Sequence, residues 1–216
     1  ALSSGDIQEI VSSTMGQLII GVIAIGLLLL AVSFAGNRKQ EVNVKALTYS
    51  AIAIAISFVL SQFKIVPMPQ GGSLTPFSML FVISIGYMFG IRTGILAGVV
   101  YGLLQLAIGG WVMHPIQLLL DYPLAFGALG LSGLFSGSKY GLVKGIIAGS
   151  CGRFVFHFIS GLVFFAEYAP ENWNVVLYSF WYNFSYTGVE GAITALVIGV
   201  PAVAAAFAQV KKQALS

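Results

Sequence analysis

Seven long apolar runs divide this 216-residue chain, at 14–36, 43–62, 74–91, 93–109, 113–135, 142–166 and 173–208. A helix needs about 20 mostly apolar residues to cross a bilayer. Most of these runs reach that length, and only 93–109 is short for a full crossing. The connections between them are brief and marked by glycine or proline: Pro67-Met68-Pro69-Gln70-Gly71-Gly72, Gly109-Gly110, Ser136-Gly137-Ser138 and Pro170-Glu171-Asn172. Charged residues make up 8% of the chain and hydrophobic ones 58%, whereas an ordinary soluble domain carries about 25% charged residues. A surface so poor in charge must face lipid. The chain therefore reads as an all-α polytopic membrane protein. A polar N-terminal segment covers 1–13, one extra transmembrane helix covers 14–36, and a six-helix membrane domain covers 43–210. A signal peptide is the rival reading of the first run. No basic residue precedes that run, and it is longer than a signal's apolar stretch.

The few charges are sorted by side. Arg38, Lys39 and Lys45, then Arg92, then Lys139 and Lys144, then Lys211 and Lys212 fall on alternate connections. The other side holds Lys64 but also Asp6, Glu9, Glu167 and Glu171. The positive-inside rule puts the C-terminus in the cytoplasm and the N-terminus outside. A net charge of +3 from so few charges is no nucleic-acid footprint. The single cysteine, Cys151, excludes an internal disulfide and reads as a small buried residue in an apolar run. There is no Walker P-loop, no His-Glu-x-x-His zinc motif and no Gly-x-Ser-x-Gly elbow. Two lone histidines, His114 and His157, make a poor metal site. No residue pattern points to an enzyme, a metal or a cofactor.

Ionisable residues inside apolar runs are costly and mark function by default. Here they are Asp121, Arg153, His157 and Glu190, with Gln117 and Asn183 as polar companions. His114, Gln117 and Asp121 share one helix face; so do Arg153, His157 and Ser160-Gly161, and so do Asn183, Tyr186 and Glu190. At a rise of about 1.5 Å per residue, Asp121 lies roughly 12 Å inside its external end, and His157 and Asn183 roughly 15 Å inside theirs. That common level predicts one pocket open to the outside. Arg153 and Glu190 lie roughly 21–26 Å deep by the same rise and are expected to form a structural ion pair, with substrate contact as the alternative. A lone Gln117 also reads as interhelical glue. The rim is aromatic: Trp111, Tyr122, Phe164, Phe165, Tyr168, Trp173, Tyr178, Trp181, Tyr182 and Tyr186. The membrane-interface belt accounts for about half of these. The remainder, around a lone acid, suit a flat cation through cation–π attraction. Ala51 and Ala55 place small residues four apart, a spacing that lets helices approach closely in lipid.

His114 and Gln117, followed by Leu119-Leu120-Asp121-Tyr122-Pro123-Leu124-Ala125-Phe126 and Gly127-Ala128-Leu129-Gly130, resemble the ThiT family, the thiamine-specific substrate-binding (S) components of energy-coupling factor (ECF) transporters. Three further stretches carry the resemblance: Pro69 to Thr75, Arg153 to Gly161 with Phe164-Phe165, and Tyr182 to Tyr186 with Glu190 downstream. It implies a six-helix fold with an external pocket for thiamine and no bound cofactor. By position, Asp121, His157 and Asn183 match the family's polar contacts. Trp111, Tyr122, Phe165 and Tyr178 match the aromatic positions that enclose the ligand. Ala51 and Ala55 match the motif that docks on the transmembrane coupling subunit, which works with two cytoplasmic ATPases. Some members have Glu where Asp121 stands and Trp where Phe165 stands. The localisation implied is a bacterial plasma membrane. The rival mechanism is a self-sufficient proton-coupled carrier of thiamine or another flat heterocycle, with Asp121, His157, Arg153 and Glu190 as its relay.

Overall fold

The computed structural model describes residues 13–16, 19, 22, 23, 26 and 44–216. Apart from those first few positions, the polar segment expected over 1–13 and the extra helix expected over 14–36 lie outside the described residues. From residue 44 on, the chain is almost entirely helical. Helix α1 spans Val44–Ser61, α2 Ser78–Phe89, α3 Ile91–Gly109, α4 Pro115–Phe135, α5 Gly141–Phe164, α6 Val175–Gly199 and α7 Pro201–Leu215. Among the described residues, α1, α3, α4 and α5 are each long and apolar enough to cross a membrane.

The structure corrects three of the expected spans. The run 93–109 is not short, because α3 begins at Ile91 and reaches 19 residues. The run 173–208 is not one helix: α6 and α7 meet at 88°. Val200 is extended there (φ −68°, ψ 122°) and Pro201 starts α7, a position where its missing N–H costs nothing. The run 74–91 yields only the 12-residue α2, about 18 Å of helix, well short of the roughly 30 Å hydrocarbon layer.

A two-stranded hairpin before α2 makes up the difference. Strand β1 (Val66–Pro67) pairs antiparallel with β2 (Ser73–Leu74), Val66 opposite Leu74. Its tip uses two glycines at positive φ, Gly71 (87°) and Gly72 (80°), a region L-residues with a Cβ seldom enter. Irregular backbone at membrane depth is tolerated where it lines a cavity, and this hairpin does so. All of α2 but Phe81 and Tyr87 is buried, which makes it the centre of the bundle.

Close helix approach is built from glycine. Gly94, Gly98 and Gly102 form a stripe along α3 at four-residue spacing. A Cβ on Gly98 would stand 2.2 Å from the Phe126 carbonyl oxygen of α4, and one on Gly94 would stand 2.5 Å from Cα of Gly86 in α2. In lipid, where hydrophobic burial gives helices little reason to associate, such contact supplies the packing. The stripe holds the backbone of α4 against α3 at the level of Tyr122 and Phe126. Ala51 and Ala55, by contrast, face outward from α1 beside Ile52 and Ile56. Cys151 is exposed on α5, not buried as expected, because its face of the helix points away from the bundle.

Helix α7 turns back across the end of the bundle that carries Arg92 and Lys139. Its Phe207 meets Phe81 with ring centroids 6.4 Å apart, and Ala214 is fully buried. Lys211 Nζ sits 3.8 Å from the centroid of the Tyr87 ring and donates to the carbonyl oxygens of Tyr87 and Ser136. It thereby caps the C-terminal ends of α2 and α4 together.

Candidate functional site

The polar stripes of α4, α5 and α6 meet at a cavity of about 440 Å³, within the range of small-molecule sites. Asp121, His157, Asn183, Trp111, Tyr122, Phe165, Tyr178 and Gln117 all line it. Local helix distortion sets the polar groups in place. Pro123 has no N–H to give the preceding turn of α4, so Leu120–Leu124 widens into a π-helical turn that carries Asp121 and Tyr122. A second π turn, Phe184–Gly188, lies in α6 just after Asn183 and carries Tyr186. Gly161 lets α5 and α6 close on each other, since a Cβ there would stand 2.2 Å from Ser179 Oγ.

Asp121 is the hub. Its Oδ1 lies 3.0 Å from His157 Nδ1, and its Oδ2 accepts from Gln117 Nε2 at 2.6 Å and from Ser160 Oγ at 2.9 Å. Gln117 is fully engaged: its Nε2 also donates to the Trp111 carbonyl at 3.0 Å, and its Oε1 accepts from Met113 N–H at 3.1 Å. It ties the loop before α4 to the acid. Tyr122 does the same from the next turn, as its hydroxyl accepts from Trp111 N–H at 2.7 Å. Asn183 donates to the carbonyls of His157 at 3.2 Å and Ser179 at 2.9 Å, and accepts from the Tyr186 hydroxyl at 2.8 Å. It pins α6 to α5 behind the histidine.

The hairpin covers one side of the cavity. Gln70 N–H donates to Tyr182 Oη at 2.8 Å, and that hydroxyl donates to Gly71 O at 3.0 Å. Tyr178 Oη donates to Gln70 Oε1 at 3.2 Å. Gly72 packs so closely on Tyr186 that an added Cβ would meet the ring at 2.9 Å.

The expected Arg153–Glu190 ion pair is not formed. Among the described residues the carboxylate contact within 4 Å of a basic side chain is His157 with Asp121. Arg153 turns toward the cavity, with its Nε 3.2 Å from His157 Nε2 and its guanidinium 4.4 Å from the Phe126 ring centroid. Glu190 accepts from Thr75 Oγ1 at 2.9 Å, Ser78 Oγ at 3.2 Å and Met79 N–H at 3.3 Å. It caps α2, whose own N-cap, Phe77, offers no side-chain acceptor. Helical rise along α6 put Glu190 beside Arg153, but the chain after the hairpin brings the hydroxyls of Thr75 and Ser78, at the start of α2, to Glu190 instead.

His114 stands apart from the cavity. It caps α4 by accepting Ile116 N–H at 3.2 Å and stacks on Phe164 at 5.2 Å. Of the other rim aromatics, Tyr182 and Tyr186 line the cavity, whereas Phe164, Tyr168, Trp173 and Trp181 do not. Sequence reasoning missed Tyr101, Gln105 and Phe126, which also line it. Tyr101 sits on the glycine-stripe side of α3, and Phe126 on the polar side of α4; the stripe was the available signal.

The chain is similar to known transport proteins over most of this region. The profile of the family described as thiamine transporter protein (Thia_YuaJ) matches residues 47–209. The thiamine transporter ThiT of Bacillus subtilis is 36% identical over 177 residues, 75% of this chain and 91% of that protein. The ThiT of Lacticaseibacillus paracasei is 30% identical over 181 residues, 76% of this chain and 88% of that protein. In fold, the chain superposes on the solved structure of ThiT from Listeria monocytogenes with a TM-score of 0.61 at 24% identity, covering 72% of this chain and 94% of that one. The relatives are named as transporters, not enzymes. This multi-pass membrane chain belongs to the thiamine transporter protein family.

Proposed function

We propose that the chain is the thiamine-capturing S component of an ECF importer in a bacterial plasma membrane. The observation that carries this reading is the Asp121–His157 pair on the floor of an aromatic-walled cavity of about 440 Å³. Thiamine is a flat cation whose aminopyrimidine offers one amine donor and ring-nitrogen acceptors. Asp121 takes the donor, and His157 and Asn183 complete the polar floor. Trp111, Tyr122, Phe165 and Tyr178 cover the rings and screen the thiazolium charge by cation–π attraction. Gln117 holds Asp121 and the Trp111 loop in register.

The cavity is lined from the α1–α2, α3–α4 and α5–α6 connections. Arg92, Lys139 and Lys211 lie toward the other end, which supports a mouth outside, a cytoplasmic C-terminus and an external N-terminus. Ala51 and Ala55 lie on the outward face of α1, where a transmembrane coupling subunit would dock and link the chain to two ATPases. The rival carrier needs Asp121, His157, Arg153 and Glu190 in one relay, yet Asp121 and Glu190 belong to separate hydrogen-bond sets.

Thiamine titrated into the purified protein, followed by tryptophan fluorescence, tests the binding reading. Saturable tight binding that is weakened about 100-fold in Asp121→Asn and lost in His157→Ala is expected; no binding by a folded sample overturns it. Vesicle uptake tests the partners. ATP-driven uptake only with a coupling subunit and two ATPases is expected, whereas proton-driven uptake by this chain alone would establish the carrier.

A further inference from the structure

Both ring nitrogens of His157 are spent inside the chain. An arginine Nε always carries a proton in a protein, so the contact from Arg153 Nε to His157 Nε2 at 3.2 Å makes Nε2 an acceptor. The imidazole proton then sits on Nδ1 and is donated to Asp121 Oδ1 at 3.0 Å. A second ring proton would set N–H against N–H and a cation beside the guanidinium. Phe126 meets the ring edge-on at 6.5 Å and Tyr186 lies 5.9 Å from it.

Asp121 is acceptor-only. A carboxylate offers about four lone-pair sites, and His157, Gln117 and Ser160 occupy three of them. The remaining site can receive a ligand N–H but gives nothing back. A heterocycle with ring-nitrogen acceptors needs a donor from elsewhere on this floor. Gln117 and Asn183 have spent their amide protons on the chain.

Arg153 is the buried group beside His157 whose donors are not all spent. Its residue is 7% exposed and lines the cavity. It carries five N–H donors, of which the Nε–H goes to His157. No acceptor among the described residues takes a hydrogen bond from its terminal nitrogens. The guanidinium carbon lies over the Phe126 ring, 4.4 Å from its centroid, and together with the Nε–H contact to His157 this orients those donors. A buried guanidinium with unspent donors in a cavity is a recognition element.

We propose that Arg153 is a specificity-determining ligand contact: its terminal N–H groups donate to a ring nitrogen of the bound heterocycle, while Asp121 accepts from the exocyclic amine and His157 holds these two groups in register. The site thereby reads one donor and one acceptor on the same ring. This deepens the thiamine reading and rests on it for the choice of probe.

Two measurements test it. The first compares thiamine with two analogues, each having one pyrimidine nitrogen replaced by C–H, in the native protein, Arg153→Met and Arg153→Lys. For thiamine, Arg153→Met is expected to lower affinity about 10–100-fold, the scale of a lost charged hydrogen bond, and Arg153→Lys to lose less. For one of the two analogues, already weakened by that factor, Arg153→Met is expected to cost almost nothing further. A purely structural Arg153 would weaken all three ligands by the same factor, and that result overturns the proposal. The second measurement needs no ligand: ¹⁵N NMR of the ring nitrogens in histidine-labelled protein, with His114→Gln to leave His157 as the one signal. A proton on Nδ1 and none on Nε2 is expected; a protonated Nε2 overturns the proposal. If the native protein fails to bind thiamine, the thiamine reading falls, and the NMR result still decides the hydrogen-bond arrangement around Arg153.

Discussion

At the scale of single residues, one carboxylate organises the site. Asp121 gathers donors from its own helix through Gln117 and from α5 through His157 and Ser160. Asp121→Asn keeps the shape but removes the charge and points an amide N–H₂ at groups that themselves donate. Thiamine affinity is expected to fall about 100-fold, the cost of one charged hydrogen bond plus a mismatched neighbour, as read by fluorescence titration. Asp121, His157 and Asn183 were legible in the sequence because an ionisable or amide side chain in an apolar run stands out against its surroundings. The partners of Arg153 and Glu190 were not. Two charges of opposite sign at similar depth invite pairing, but hydroxyls and an aromatic face satisfied each of them separately.

At the scale of elements, distortions from ideal helix do the positioning. The π turn at Leu120–Leu124 follows from Pro123 and could be anticipated; the one at Phe184–Gly188 contains no proline and could not. Besides the Tyr178–Gln70 side-chain bond, the hairpin is fastened by Tyr182 Oη, which bridges Gln70 N–H and Gly71 O. Tyr182→Phe removes both contacts and leaves the ring in place. Thiamine is expected to dissociate about five times faster, as one hydrogen-bonded bridge of roughly 1 kcal/mol is lost, which stopped-flow fluorescence would record. The glycine stripe of α3 makes a different demand. Gly98→Ala would put a Cβ 2.2 Å from a backbone oxygen that cannot swing aside. A loss of about 1–3 kcal/mol is expected from such overpacking, seen as a lower melting temperature. Gly137→Ala, with nothing within 4 Å of the new Cβ, should leave it unchanged.

At the scale of the whole molecule, the inner and outer faces serve different ends. Glycine spacing turned out to mark an internal seam, whereas the Ala51–Ala55 spacing lies on the surface. Ala51→Leu combined with Ala55→Leu is therefore expected to leave thiamine binding unchanged while reducing ATP-driven uptake several-fold, measured in vesicles that hold the coupling subunit and ATPases. Unchanged uptake would remove α1 as the docking face. At the end of the bundle that carries Arg92 and Lys139, α7 through Lys211 ties the end of α2 to the end of α4.

The sequence by itself determined that this chain lives in a membrane, that it is helical, and which helices carry polar groups. Hydropathy and helical period are local properties, and they survive any choice of packing. The tertiary structure decided what those groups touch. Depth along a helix axis says how far in a residue sits, but not what reaches the same level from elsewhere. The approach of Thr75 and Ser78 to Glu190 and the seat of Arg153 over Phe126 each depend on contacts between segments far apart in the chain. A hydrogen bond forms with whichever partner the folded backbone brings within about 3 Å, and no pattern within a single helix contains that distance.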